Sequence, residues 1–458
     1  MKIFALALLL CSGISAFGVS VFSVDGRQIL LDGEPFQVRG ICYGPVPIGQ
    51  TGTESPFGDY FTTLFLSATG PDNEAMRRMG ANVQRGYGWA VGGNHQAYLD
   101  RAYNDGVNPV YVFINRYIDP NTNWANESAV NAVKNEWVAI AEETKDHPGI
   151  IGYLLGNEIN VLSGNGANVL FWQAMETIAA AVKEVAPDKL VSAPITDALD
   201  QVTAFDETVP SLDFWAIQVY RSTTFGTFFD EYEVASDKPV VLTEYGYDAY
   251  DNIAQSEYPD NAAFTADVVE GMIGEINTNS DVCAGGMVFS FRDEWWKASG
   301  SLNTQDNGGI IAPGMPDRLL NEEWWGIFKA ADNGFLPDLL EPRALYYRLI
   351  SLWNPLPELD ATVTLEDPGL TIEFERDEDD RDFRYAVEIS NDLTNWTALA
   401  DNEDSTGLEV MEGETIVVTE TTVDGVVEVR IEDPDFTSRD SGTFLRAGIG
   451  QRQSEPEG

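Results

Sequence analysis

The run Ile150-Ile-Gly-Tyr-Leu-Leu-Gly-Asn157-Glu158 decides the fold. Its first six residues are strand-length and mostly apolar, and a Gly-Asn-Glu step then breaks them into loop sequence. A continuous apolar run reads as a strand buried on both faces, the habit of a parallel sheet. Seven other stretches alternate with helical patterns and read as strands, so the candidate strands are 37–43, 82–87, 108–114, 150–156, 190–193, 213–219, 239–243 and 285–291. Apolar residues recur at helical spacing between them, over 71–79, 96–104, 129–145, 169–185, 225–232 and 262–277, and a last helix fits 342–353. Pro71 and Pro148 read as element boundaries. A hairpin over 21–36, turning at Asp32-Gly33, leads in. Eight strand–helix units in alternation predict an α/β fold, a closed (β/α)8 TIM barrel.

Working outward, 458 residues exceed one barrel and leave room for a smaller module. Residues 1–18 read as a signal peptide: Met1-Lys2, an apolar stretch over 3–10, then small residues, with cleavage expected between Ala16 and Ser20. The barrel is assigned to 19–353 and a Pro-containing linker to 354–358. Over 359–458 the pattern has period two, which predicts a small all-β sandwich. Its charge run over 376–382 reads as a solvated hairpin loop, with calcium binding as the lesser alternative, and Trp396 as a core residue.

With 74 acidic against 27 basic residues the net charge is -47, which disfavours nucleic acid and anionic membranes as partners. The acidity is spread along the chain and reads as a solvated surface. Past the N-terminus no segment is apolar for long enough to span a bilayer. Cys42 and Cys283 fall at opposite ends of neighbouring strands, so two buried thiols are expected instead of a disulfide. His95 and His147 are the only histidines, too few for a Cys/His metal cluster, and no cofactor is expected.

The chemistry gathers at strand ends, which in such a barrel open onto the active-site face. Glu158 ends the fourth strand and Glu244 the seventh, in Pro239-Val-Val-Leu-Thr-Glu244-Tyr-Gly246. Strands four and seven face each other across the barrel mouth. Two carboxyl groups there are the equipment for glycosidic bond cleavage, one as acid/base and one as nucleophile. Asn157 is placed to hydrogen-bond a sugar hydroxyl beside the acid/base. Arg85, ending strand two in Asn82-Val-Gln-Arg85-Gly-Tyr87, is expected beside Glu244, with Tyr220 within reach of it. A long loop follows strand eight. It holds Phe291-Arg-Asp-Glu-Trp-Trp-Lys297 and Asn321-Glu-Glu-Trp-Trp-Gly326, and one Trp of each pair is expected to stack on sugar while the other anchors the loop. Phe291 is taken as the last inward residue of strand eight and Trp295 as the stacking residue. Tyr43, Tyr87 and Trp89 are further groove candidates.

In these motifs the chain resembles the clan A retaining glycoside hydrolases over roughly residues 30–353. Gly156-Asn157-Glu158, Thr243-Glu244-Tyr245-Gly246 and Gln218-Val-Tyr220 look like the family 2 barrel and like the family 72 β-1,3-glucanosyltransferases. The resemblance implies Glu158 as acid/base, Glu244 as nucleophile and Arg85 in support of the nucleophile. It implies a β-glycoside as substrate, with β-1,3-glucan favoured by the likeness to family 72. The accessory N-terminal sandwiches of family 2 and the Cys-rich module of some family 72 enzymes have no counterpart in this sequence. Hydrolysis and transglycosylation both fit, and a non-catalytic carbohydrate-binding barrel is the reading from another class. Oligomeric state is left open.

Overall fold

The computed structural model describes residues 20–354, apart from 53–57, 299, 333, 335 and 336, and, further on, the backbone of eight strands. The chain divides into two compact units, Met1–Asn354 and Pro355–Gly458.

The first unit is a parallel barrel of eight strands: β1 (Val38–Tyr43), β2 (Val83–Gly86), β3 (Tyr111–Arg116), β4 (Ile150–Leu155), β5, β6 (Trp215–Gln218), β7 (Val240–Tyr245) and β8 (Cys283–Val288). Strand β5 is split at Ala193 into Leu190–Ser192, which pairs with β4, and Pro194–Thr196, which pairs with β6. The two halves stand at the two ends of the hydrogen-bonded order, so that one-residue break is where the barrel closes. Every residue of β3, β4, β7 and β8 is buried, as expected for strands covered on one face by helices and on the other by the packed interior.

Helices α1 (Leu66–Arg78), α2 (Gln96–Tyr103), α3 (Glu127–Thr144), α4 (Val169–Val185), α5 (Leu199–Phe205), α6 (Phe228–Ala235), α7 (Pro259–Thr278) and α8 (Ala344–Trp353) alternate with the strands. α3 starts where Asn126 accepts from the amides of Ser128 and Ala129, satisfying two of its orphan donors. Two sequence expectations are corrected. Pro71 does not start α1 but lies inside it, five residues after the first. α5 was not foreseen: it is seven residues long and buries only Val202, too little to show a period.

Cys42 and Cys283 are free and buried, with Cys283 opening β8 and Cys42 near the other end of β1. The loop after β8 is not structureless. It carries two antiparallel ladders, Gly309–Ile311 with Leu319–Asn321 and Phe328–Ala331 with Leu339–Pro342. A buried bidentate ion pair, Arg343 to Asp293 with both contacts at 2.8 Å, ties its far end to its start.

The second unit holds two four-stranded antiparallel sheets, the makeup of a sandwich. One has the order Thr362–Glu366, Gly369–Asp377, Val426–Asp433, Val417–Val423; the other Glu409–Val410, Thr397–Asp401, Phe383–Ser390, Phe444–Gln451. The signal segment 1–18, the linker after residue 354, Trp396 and residues 378–382 of the charge run lie outside the described residues.

Candidate active site

A cavity of about 660 Å³ opens at the C-terminal ends of the strands, and Glu158 and Glu244 both line it. Glu244 sits in β7 and is 7% exposed. Its Oε1 accepts from Arg85 Nη1 at 3.0 Å, the Tyr87 hydroxyl at 2.6 Å and Gln218 Nε2 at 2.9 Å. Its Oε2 accepts from the Tyr220 hydroxyl at 3.0 Å. Four donors on one carboxyl group, one of them a guanidinium, is the pattern of an acceptor-only carboxylate.

Arg85, in β2, is fully buried. Its Nη1 also donates to the Thr243 carbonyl at 3.0 Å, and its Nη2 reaches Asn115 Oδ1 at 3.3 Å and Asn157 Oδ1. The guanidinium lies 4.5 Å from the centroid of the Tyr87 ring. A buried cation with this many acceptors is positioned, not merely tolerated.

Glu158 is aimed by the backbone. β4 ends at Leu155, Gly156 takes φ +77°, and Glu158 itself takes φ +50°. Few residues with a side chain adopt that region, and such conformations cluster at functional sites. Asn115 Nδ2 holds the bend by donating to the Leu154 and Gly156 carbonyls, both at 2.6 Å. Burial and the neighbouring Glu244 charge push the Glu158 carboxyl up to about 7, against the opposing pull of Arg85 and Lys297.

Asn157 Oδ1 accepts from Gln218 Nε2 at 2.7 Å as well as from Arg85. Both contacts fix the amide through its oxygen, leaving the NH₂ on a residue that lines the cavity. Glu158, Glu244, Arg85, Asn157 and Tyr220 thus form one cluster.

The aromatic wall differs from the expectation. Trp296 and Trp325 line the cavity, while Trp295 is not among the lining residues. Neighbours in an irregular loop face different ways, and no period marks which faces inward. Trp324 holds the loop, donating to the Asp306 carbonyl at 2.9 Å and packing on Tyr250. Phe291 belongs to the core; β8 ends at Val288, and Phe289 is the residue at the cavity. Trp89 is buried against His95 at 3.8 Å, and Tyr43 is buried with its hydroxyl on Asp72 at 2.7 Å, so neither is a groove residue.

Tyr87, expected only in the groove, hydrogen-bonds Glu244. Its signal was available: Tyr87 lies two residues after Arg85, and Gln218 two before Tyr220, so each shares an inward face with its partner. Glu294, Lys297 and Glu322 also line the cavity; they lie in the two Trp-Trp motifs, whose flanking acidic residues suit sugar hydroxyls, but no strand spacing marks which of them turn inward.

No protein-family model matches the chain, and no curated protein matches it. Solved structures do match. The family 2 β-galacturonidase of Eisenbergiella tayi, bound to galacturonate, is 15% identical with a TM-score of 0.52, covering 74% of this chain and 54% of that one. Gas2p of Saccharomyces cerevisiae, in complex with laminaritriose and laminaritetraose, is 17% identical with a TM-score of 0.51, covering 73% and 68%. The β-glucuronidase of Faecalibacterium prausnitzii is 17% identical with a TM-score of 0.51, covering 74% and 52%. The chain spans about half the length of the two uronidases. At these identities the likeness establishes the fold, a TIM barrel of the kind that glycoside hydrolases use.

Proposed function

We propose that the chain is a retaining β-glycoside hydrolase with Glu244 as nucleophile and Glu158 as acid/base. The observation that carries the reading is the division of labour between two carboxyl groups on one cavity: Glu244 receives four hydrogen bonds, while Glu158 is held near neutrality by burial and by Glu244. Environments that push two carboxyl groups apart assign acid and nucleophile. Oε1 of Glu244 carries three of the donors, which leaves Oε2, with the single Tyr220 bond, to attack the anomeric carbon. As that bond forms, the glycosidic bond breaks and Glu158 gives its proton to the leaving oxygen. Glu158 then takes a proton from water, whose oxygen displaces Glu244. A sugar hydroxyl in place of water makes the same site a transglycosylase.

The substrate that fits best is a β-glucan, with β-1,3 linkage favoured by the fold shared with a protein crystallised with laminari-oligosaccharides. The apolar faces of Trp296 and Trp325 suit pyranose rings. Their indole N–H groups are buried, with no acceptor among the described residues. The apolar N-terminal segment supports export of the protein, and no described helix is long and apolar enough to cross a membrane.

The test is product release from β-glucans, β-mannans and β-galactans, with the anomer of the first product read by NMR. Wild type should release a β-anomer first, and Glu244→Gln should lower turnover by at least about 10³-fold. Chains longer than the input would show transfer. Undiminished turnover in the variant would sink the assignment; binding without turnover in the wild type would favour a carbohydrate-binding barrel.

A further inference from the structure

The uronidases and Gas2p share this fold, so the fold alone leaves the charge of the sugar open. The cavity wall carries the answer. Its formally charged side chains, among the described residues, are Glu158, Glu244, Glu294, Glu322 and Lys297. Arg85 lies behind Glu244 and is consumed by it. A uronic acid would need a cation free to receive its carboxylate, and Lys297 is the one wall residue of that kind. It is not free. Lys297 Nζ stands 2.9 Å from Glu294 Oε2 and 4.0 Å from the Phe289 ring centroid. Burial alone would lower its pKa, yet Glu294, Glu322 and Glu244 outweigh burial and raise it. The lysine's charge is therefore already answered more than once.

Glu294 is itself 6% exposed, and it reaches close to the end of β1, where a Cβ at Gly44 would stand 2.8 Å from Glu294 Oε1. Glu322 lines the cavity from the far part of the same loop; burial and the Glu244 charge raise its carboxyl, and the Lys297 charge opposes them by favouring the carboxylate. Carboxylate oxygens at these places accept sugar hydroxyls and repel a sugar carboxylate.

We propose that Glu294 and Glu322, by neutralising Lys297 at the strand-eight wall, determine specificity: the cavity takes a neutral sugar and refuses a uronic acid. This rests on the glycosidase reading but makes a separate claim. The experiment compares matched 4-nitrophenyl β-glycosides, glucoside with glucuronide and galactoside with galacturonide. Each pair differs only by CH₂OH against COO⁻. Wild type should favour the neutral member by on the order of a hundredfold in kcat/KM, the size expected for one unanswered charge a few ångströms from a carboxylate. Raising NaCl should narrow the ratio. Glu322→Gln should narrow it by about tenfold or more, chiefly through a lower KM for the uronide, and the Glu294→Gln/Glu322→Gln double variant should narrow it further.

A uronide turned over as well as its neutral partner would overturn the proposal, as would a ratio that neither the variants nor salt moves. Calorimetry with Glu158→Gln, titrated with laminaritriose and with C6-oxidised laminaritriose, reads the same preference without catalysis. Neutral binding without wild-type turnover would keep the charge filter and remove the glycosidase reading; failure of both sugars to bind would remove both.

Discussion

Glu158 shows how one residue couples function to stability. The ordinary pKa of its carboxyl group is 4.5, and burial together with the Glu244 charge pushes it up to about 7 in the fold. An acid must be protonated to act, so kcat/KM should fall as pH rises through about 7, and that limb belongs to Glu158. The stability consequence has a definite sign. Below about pH 4.5 the group is protonated both folded and unfolded. Between 4.5 and 7 the unfolded chain loses the proton first, so stability is lost as pH rises through that window. Glu158→Gln has no proton to lose. It should raise the melting temperature at pH 8 by a few degrees, on the order of 2 kcal/mol, and leave it unchanged at pH 4. A scan of both proteins at the two pH values checks this; equal shifts at both would show a packing effect instead. The placement of Glu158, Glu244, Arg85 and Tyr220 was legible because each sits at or near a strand end, where position dictates direction. Trp296 was not, because it sits in a loop where only tertiary contacts decide which of two tryptophans turns inward.

At the scale of elements, the same contrast separates strands from helices. Most of the eight strands could be read from apolar runs, the composition that burial on both faces favours; β2, Val-Gln-Arg-Gly, is buried with two polar residues. The split of β5 at Ala193 carries a local mark, since Pro194 has no N–H to give to a ladder, but nothing local says that the barrel closes there. Glycines inside the strands show how tightly closure is specified. Gly285, in β8, has φ +112°, and a Cβ there would lie 2.2 Å from the Val38 carbonyl oxygen of β1. Backbone cannot yield as a side-chain tip does, so Gly285→Ala should cost at least about 3 kcal/mol or prevent soluble expression. Gly274, exposed in α7, would place a Cβ in open space. There Ala removes unfolded-state freedom without a clash, and Gly274→Ala should stabilise by about 0.5–1 kcal/mol. Urea melts of the two variants give opposite signs if this account holds, and a loss at Gly274 would show that α7 needs its flexibility.

For the whole molecule, charge is the dominant fact, and it is unevenly placed. Residues 355–458 hold 28 acidic and 7 basic side chains, a net -21, which leaves -26 of the total -47 for the 354 residues before them. Per residue the second unit carries nearly three times the charge of the first. The barrel has buried ion pairs that salt barely reaches, Arg343 with Asp293 and Arg85 with Glu244. Repulsion between like charges on a surface, by contrast, falls as the screening length shrinks from about 10 Å at 0.1 M salt to about 3 Å at 1 M. Two compact units should melt as two calorimetric transitions. Raising NaCl from 20 mM to 1 M should move both upward and the transition of 355–458 further, with that transition missing from a chain ended at Asn354. The shortened chain should keep its turnover, because the described residues that line the cavity all lie before residue 354. Equal salt shifts would mean that repulsion does not limit the second unit, and loss of turnover on shortening would mean that the barrel depends on it.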